Sequence, residues 1–177
     1  MNIFSKTFCR IYQGAFRIAM PLLPYRKPLI FTNVKECVPL FQKLNLNKIL
    51  LVTDSFLRTS GITKALEDFM SQNKIKCVVY DKTNPNPTVK NVEEAKQLYI
   101  ENNCQGIIAF GGGSSMDCAK ATGACIAYPK KTLEQMKGLL KVWKKLPPLV
   151  AIPTTAGTGS EVTVTAVITN PEIKHKY

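Results

Sequence analysis

The chain has 177 residues, 45% of them apolar, with a mean hydropathy of -0.02, which is enough apolar side chain to bury a core and too much for a disordered segment. Twenty-four Lys and Arg against twelve Asp and Glu give a net charge of +12, which suits a phosphate-bearing ligand or an anionic surface. No nucleic-acid module accompanies that charge, the basic clusters do not interleave with stacking aromatics, and no apolar run is long enough to span a bilayer, so nucleic-acid-binding and transmembrane classes are set aside.

Residues 1–28 hold Lys6, Arg10, Arg17, Arg26 and Lys27 and no acid. Ile3, Phe4, Phe8, Ile11, Tyr12, Ala15, Phe16 and Ala19 recur at helical spacing, which predicts a basic amphipathic arm. Arg10 and Arg17 interrupt every apolar run, and Pro21 and Pro24 end the pattern, so the segment is not expected to be a signal peptide. It is expected to pack on its own protein or on an oligomer mate, with an anionic membrane surface as the alternative. The cysteines at 9, 37, 77, 104, 118 and 125 contain no CxxC pair and are expected to be reduced core residues of a cytoplasmic protein.

From residue 29 the periodicity alternates. "LIFT" (29–32) is a short strand candidate, "VKECVPLFQKLN" (34–45) a helix, and "KILLVTD" (48–54) a buried strand. "GITKALEDFMSQN" (61–73) is a helix and "KCVVYD" (76–81) a strand. "NPNPT" (84–88) is a rigid turn, because Pro85 and Pro87 fix their own φ and push their predecessors out of the helical region. The next helix starts near Thr88 or Asn91, with Asn91 and Glu94 spaced like a capping box and Val92, Ala95 and Tyr99 on one face. "GIIAF" (106–110) is a strand, 114–127 a helix, and "PLVAIP" (148–153) a strand after a segment, 130–145, with six lysines against Glu134 alone. This order predicts an α/β fold, a doubly wound and mainly parallel Rossmann-like sheet.

Gly111, Gly112 and Gly113 then fall at the carboxyl end of a central strand, where open α/β sheets bind ligands, and Ser114 begins the following helix. Glycines let backbone N–H groups approach a phosphate, and a helix N-terminus adds about half a positive charge. The loop reads as a pyrophosphate cradle; the alternative is that Ser114 and Asp117 cap the helix in a turn that binds nothing. Asp117 would repel a phosphate; it either orders the loop or meets a ribose hydroxyl. G-x-G-x-x-G is absent, and the carboxylate able to bind an adenosine ribose, Asp54, precedes the glycines instead of following them. A second loop, "AIPTTAGTGSEVTVTAVIT" (151–169), is dense in hydroxyls. It could line a nucleotide or be a plain hairpin, with "EVTVTAVIT" alternating as a strand.

The segments "LLVTD", "NPNPTVKNVEEA", "IIAFGGGSSMDCAKA" and "AIPTTAGTGSEVTVTAVITN", in that order and spacing, resemble the N-terminal nucleotide-binding domain of the iron-containing (group III) alcohol dehydrogenases. The resemblance runs from about residue 28 to the last residue. It implies that Gly112, Gly113, Ser114 and Asp117 hold the pyrophosphate and its ribose, with Gly111 in the same loop, and that Asp54 meets the adenosine ribose. It further places Asn86 near the pyrophosphate or nicotinamide and Thr154, Thr155 and Thr158 along the nucleotide, with Lys176 as a further contributor.

The same resemblance implies a domain of residues 29–177 followed, in the family, by a helical domain carrying Fe2+ or another divalent metal. That domain would begin just beyond Tyr177, so neither metal ligands nor catalytic residues are expected in this chain, which reads as a truncated form, inactive alone. A lone His175 in "EIKHKY" is expected to be a surface residue. The expected activity of the complete enzyme is hydride transfer between an alcohol or aldehyde and NAD, with a homo-oligomer or a separately supplied helical domain as partner. A polyol or glycerol dehydrogenase-like member of the superfamily and a non-catalytic nucleotide-binding remnant are the alternatives. NAD is preferred to NADP because a 2′-phosphate beside Asp54 would bring like charges together, with no arginine nearer than Arg58.

Overall fold

The computed structural model describes residues 28–138, 141–171 and 175–176, together with Arg10 and Gly14. The chain divides into two compact units between Phe31 and Thr32. The basic amphipathic arm falls almost wholly outside the described residues. Residues 28–33 form neither helix nor strand; the apolar run "LIFT" has strand-like composition but no ladder partner, so the expected strand is absent.

In the second unit a single turn of 3-10 helix, Val34–Glu36, leads into α1 (Cys37–Lys43), where Pro39 sits in the first turn and costs no hydrogen bond. β1 (Lys48–Val52) follows, then α2 (Ser55–Thr59), α3 (Ile62–Gln72) and β2 (Lys76–Tyr80). α4 (Val89–Glu101) is capped by Thr88. Its side chain accepts from the Asn91 N–H while Asn91 returns a bond to the Thr88 N–H, so the capping box is Thr88 with Asn91 rather than Asn91 with Glu94. Glu94 instead accepts from the Tyr80 hydroxyl at 3.0 Å. β3 (Gly106–Gly111), α5 (Gly113–Ala127) and β4 (Leu149–Pro153) complete the domain core, and β5 (Thr169–Asn170) pairs antiparallel with β6 (His175–Lys176).

The main sheet is four-stranded and parallel throughout, in the order β2-β1-β3-β4. Alternate residues of the central strands serve opposite faces. Leu50, Val52, Ile107 and Ala109 join one core with Val92, Ala95 and Tyr99 of α4 and Met116, Cys118 and Ala119 of α5. Ile49, Leu51, Ile108 and Phe110 are buried as well and lie on the other face. α4 packs on α5, whereas α3 connects β1 to β2 in the reverse direction across the sheet; right-handed crossovers therefore put α3 on the opposite face. The consequence is a crevice at the carboxyl ends of β1 and β3, where the chain leaves towards different faces.

The alternating segment 161–169 is not a strand. Only Thr169 and Asn170 join a ladder, and 161–168 is turn and coil.

Candidate functional site

Four segments meet at the crevice. Gly111 ends β3 with φ +150, and a Cβ there would lie 2.5 Å from the Ser115 Oγ, so no side chain fits. Gly112 is the N-cap of α5 and supplies no side-chain cap, which leaves the first-turn N–H groups and the positive end of the helix dipole for a ligand. A Cβ on Gly112 would come within 3.2 Å of the Thr155 Oγ1, and one on Gly113 within 3.5 Å of Thr158. The two threonines therefore stand directly over the glycines. Thr154 fixes that arrangement, its N–H donating to the Gly111 carbonyl at 3.0 Å.

The "NPNPT" turn closes the cradle from another side. Asn86, with φ +58, donates its backbone N–H to the Ser114 Oγ at 3.3 Å. Thr169 N–H donates to the Pro87 carbonyl at 2.8 Å, and Thr169 pairs in turn with Lys176, which brings the backbone of Lys176 to this turn. Asp54 lies at the end of β1, one strand over. Its Oδ1 accepts from the Leu57 N–H at 2.9 Å and caps α2. Its Oδ2 has no protein partner among the described residues, and the residue is half-exposed, so one carboxylate oxygen remains for hydroxyl donors.

Asp117 and Lys120 form the best-connected polar group of the site. Their side chains are 17% and 14% exposed and 2.9 Å apart. Asp117 accepts from the Ser160 hydroxyl at 2.6 Å and from the Val167 N–H at 3.0 Å. Lys120 Nζ reaches the Ser160 carbonyl at 3.1 Å, the Ser160 Oγ at 3.0 Å, the Thr163 Oγ1 at 3.1 Å and the Thr165 carbonyl. The geometry thus engages Asp117 in ordering the loop, and it is Lys120, unmarked in the sequence reading, that gathers residues 160–165 into turns where alternation alone suggested a strand. The spacing Asp-x-x-Lys on one helix face was the available signal; its partners lie 40 to 45 residues away.

The cysteines near this edge are not nucleophiles. Burial pushes the Cys118 thiol up to about 12, even with the hydroxyls of Thr83 and Thr122 beside it. Cys37, Cys77, Cys104, Cys118 and Cys125 are all unpaired. A divalent metal does not fit the described residues either: no three His, Cys, Asp or Glu side chains come together among them. At the glycine loop the backbone instead lies bare, with Thr155 and Thr158 packed where side chains on Gly112 and Gly113 would stand.

Comparison with known proteins agrees with that geometry. The model of the iron-containing alcohol dehydrogenase family matches residues 29–177. A choline dehydrogenase of Bacillus subtilis (strain 168) is 43% identical over 136 residues, covering 76% of this chain and 34% of the relative. An NAD-dependent methanol dehydrogenase of Bacillus methanolicus is 36% identical over 143 residues, 81% of this chain and 37% of the relative. Among solved structures, sulfoacetaldehyde reductase from Bifidobacterium kashiwanohense in complex with NAD+ superposes with a TM-score of 0.74 at 31% identity, covering 86% of this chain and 41% of that one. The chain spans little more than a third of the length of such relatives.

Proposed function

The chain belongs to the iron-containing alcohol dehydrogenase family, and on that premise we propose that residues 29–177 form the dinucleotide-binding domain of an NAD-dependent alcohol dehydrogenase. The observation that carries this is the meeting of Gly112 with Thr155 and of Gly113 with Thr158 at an uncapped helix N-terminus. Gly111–Ser114 would receive the pyrophosphate, Asp54 the adenosine ribose, and Asn86, Thr154, Thr155, Thr158 and Lys176 the remaining length of the nucleotide. Asp117 would act through the loop it holds. Bound NAD supplies the hydride acceptor for an alcohol, and NADH the donor for an aldehyde.

The protein side of the chemistry is orientation. The helix dipole would fix the phosphates and the threonine wall the nucleotide face; the Thr154 N–H bond to the Gly111 carbonyl holds that wall, and the Asp117–Lys120 pair holds the turns at 160–167 that follow it. Family chemistry also calls for a divalent metal, iron in the family's name, and its ligands lie outside the described residues. The substrate is an alcohol or aldehyde, polyols included. Residues 1–28 would serve as a basic amphipathic arm, and the unpaired thiols suit a cytoplasmic setting.

Titration calorimetry with NADH tests the proposal. Gly113 is the first residue of α5, and an added Cβ would meet Thr158 only at ordinary contact distance. Gly113→Ala should therefore melt as the parent does yet bind NADH at least about tenfold more weakly, a difference of about 1.4 kcal/mol. Absence of saturable binding in the parent, or equal binding by Gly113→Ala, would overturn the reading.

A further inference from the structure

The carboxyl edge of β1 and β2 carries, beside Asp54, a set of charges to which the cofactor reading gives no role. The two strands run side by side, Val52 opposite Tyr80, and the Thr53 N–H donates to the Tyr80 carbonyl at 2.9 Å. Asp54 and Asp81 therefore leave the sheet next to one another. Arg58 lies one helical turn beyond Asp54, its N–H donating to the Asp54 carbonyl at 3.1 Å. Its guanidinium is turned towards α3 and β2. Nη1 forms an ion pair with Glu67 and donates to the Thr63 Oγ1 at 3.2 Å, while Nε stands 4.0 Å from the Asp81 carboxylate.

We propose that Glu67 and Asp81 are specificity residues of the cofactor site, because they hold Arg58 away from the adenosine ribose, where it would otherwise pair with a 2′-phosphate. This rests on the dinucleotide reading above and extends it. Asp54 alone would disfavour a 2′-phosphate by like-charge repulsion, but an arginine one turn away could swing in and form the bidentate pair that guanidinium makes with phosphate. With its Nη1 committed to Glu67 and Thr63 and its Nε facing Asp81, that arginine is occupied. The site then presents three carboxylates against one paired guanidinium and the exposed ammonium of Lys82. A ribose with two free hydroxyls meets no penalty there, since Asp54 Oδ2 accepts from it.

The latch makes a demand that a merely structural ion pair would not. Releasing Arg58 must change which dinucleotide is preferred, and must do so through Arg58. NADH and NADPH affinities are measured by fluorescence titration for the parent, for Glu67→Gln with Asp81→Asn, and for that double variant carrying Arg58→Ala. The double variant should shift the NADPH-to-NADH affinity ratio towards NADPH by about tenfold or more, and Arg58→Ala should return it. Asp81→Asn alone, at a half-exposed position, should move the ratio in the same direction and covers the case in which the double variant does not fold. A ratio that stays at the parent value in the folded variants overturns the latch while saturable NADH binding by the parent preserves the dinucleotide reading. A gain that survives Arg58→Ala assigns the effect to Lys82 or to net charge and also overturns it. If the parent binds neither cofactor, both readings fall.

Discussion

The two halves of the sheet's carboxyl edge solve different problems with different chemistry. Beyond β3 and β4 the chain places Gly111, Gly112, Gly113, Thr154, Thr155 and Thr158, none of them charged, and fixes them by close packing and a backbone hydrogen bond. Beyond β1 and β2 it places Asp54, Arg58 and Asp81, fixed by ion pairs and a helix cap. Shape can admit the pyrophosphate common to both dinucleotides. Only charge can tell a hydroxyl from a phosphate on the ribose. The contrast teaches that affinity and selectivity are built separately here, so substitutions should separate them too.

The sharpest break is expected on the packed side. Gly111→Ala forces a side chain into a backbone with φ +150 and sets its Cβ 2.5 Å from the Ser115 Oγ, a buried residue of α5. Ser115 is buried, so it has little room to move aside. The backbone strain alone should cost about 1–3 kcal/mol, and the overlap adds to it. Urea denaturation should show the loss directly, and a midpoint equal to that of the parent would mean that β3 can relax around the methyl group.

On the charged side the effect should be on preference. Asp54→Gly removes both the ribose acceptor and the like charge, which should raise NADPH affinity relative to NADH by roughly ten- to a hundredfold, about 1–3 kcal/mol. The same variant loses the side-chain cap of α2, which for glycine costs only about a few tenths of a kcal/mol, so melting and cofactor titration should be run together. Equal affinities for the two cofactors in the parent, or no relative gain for NADPH, would show that Asp54 does not select.

The difference between the halves also explains what the sequence disclosed. Strands β1 to β4 are apolar runs between polar boundaries, and a buried parallel strand is legible from that alone. The glycine loop was legible because three consecutive glycines have few purposes at the end of a strand. Helix α2 was not: its five residues are too few for a period, and the residue that starts it, Asp54, also reads as a ribose ligand. The segment 161–169 has true alternation of Val162, Val164, Ala166 and Ile168, yet a strand needs a neighbour, and Lys120 draws that backbone into turns. Contacts between residues so far apart in the chain leave no local trace. The same holds for the Arg58 latch, whose partners come from α3 and from the end of β2.

The effect confined to alkaline pH probes the two halves through their buried thiols. Burial pushes Cys118, beneath the glycine loop on α5, up to about 12 from 9.0, and pushes Cys77 on β2 up to about 11, with Glu67 and Cys104 adding to the shift. Tyr99 of α4 is raised by burial to about 12 from 10.0. In the unfolded chain these groups lose their protons near their ordinary values, so above about pH 9 the unfolded state binds fewer protons than the folded one and stability falls as pH rises. Below pH 9 both states are protonated and the contribution is flat. Melting temperature should therefore be level with respect to these groups from pH 7 to 8.5 and decline from pH 9 to 11. Cys77 is partly exposed whereas Cys118 is fully buried, so an alkylating reagent at pH 9 should label Cys77 before Cys118, with the order read by peptide mass. Prior labelling of Cys118 in the folded chain would mean that α5 opens from the sheet more readily than β2 does, and that the packed half of the edge is the softer one.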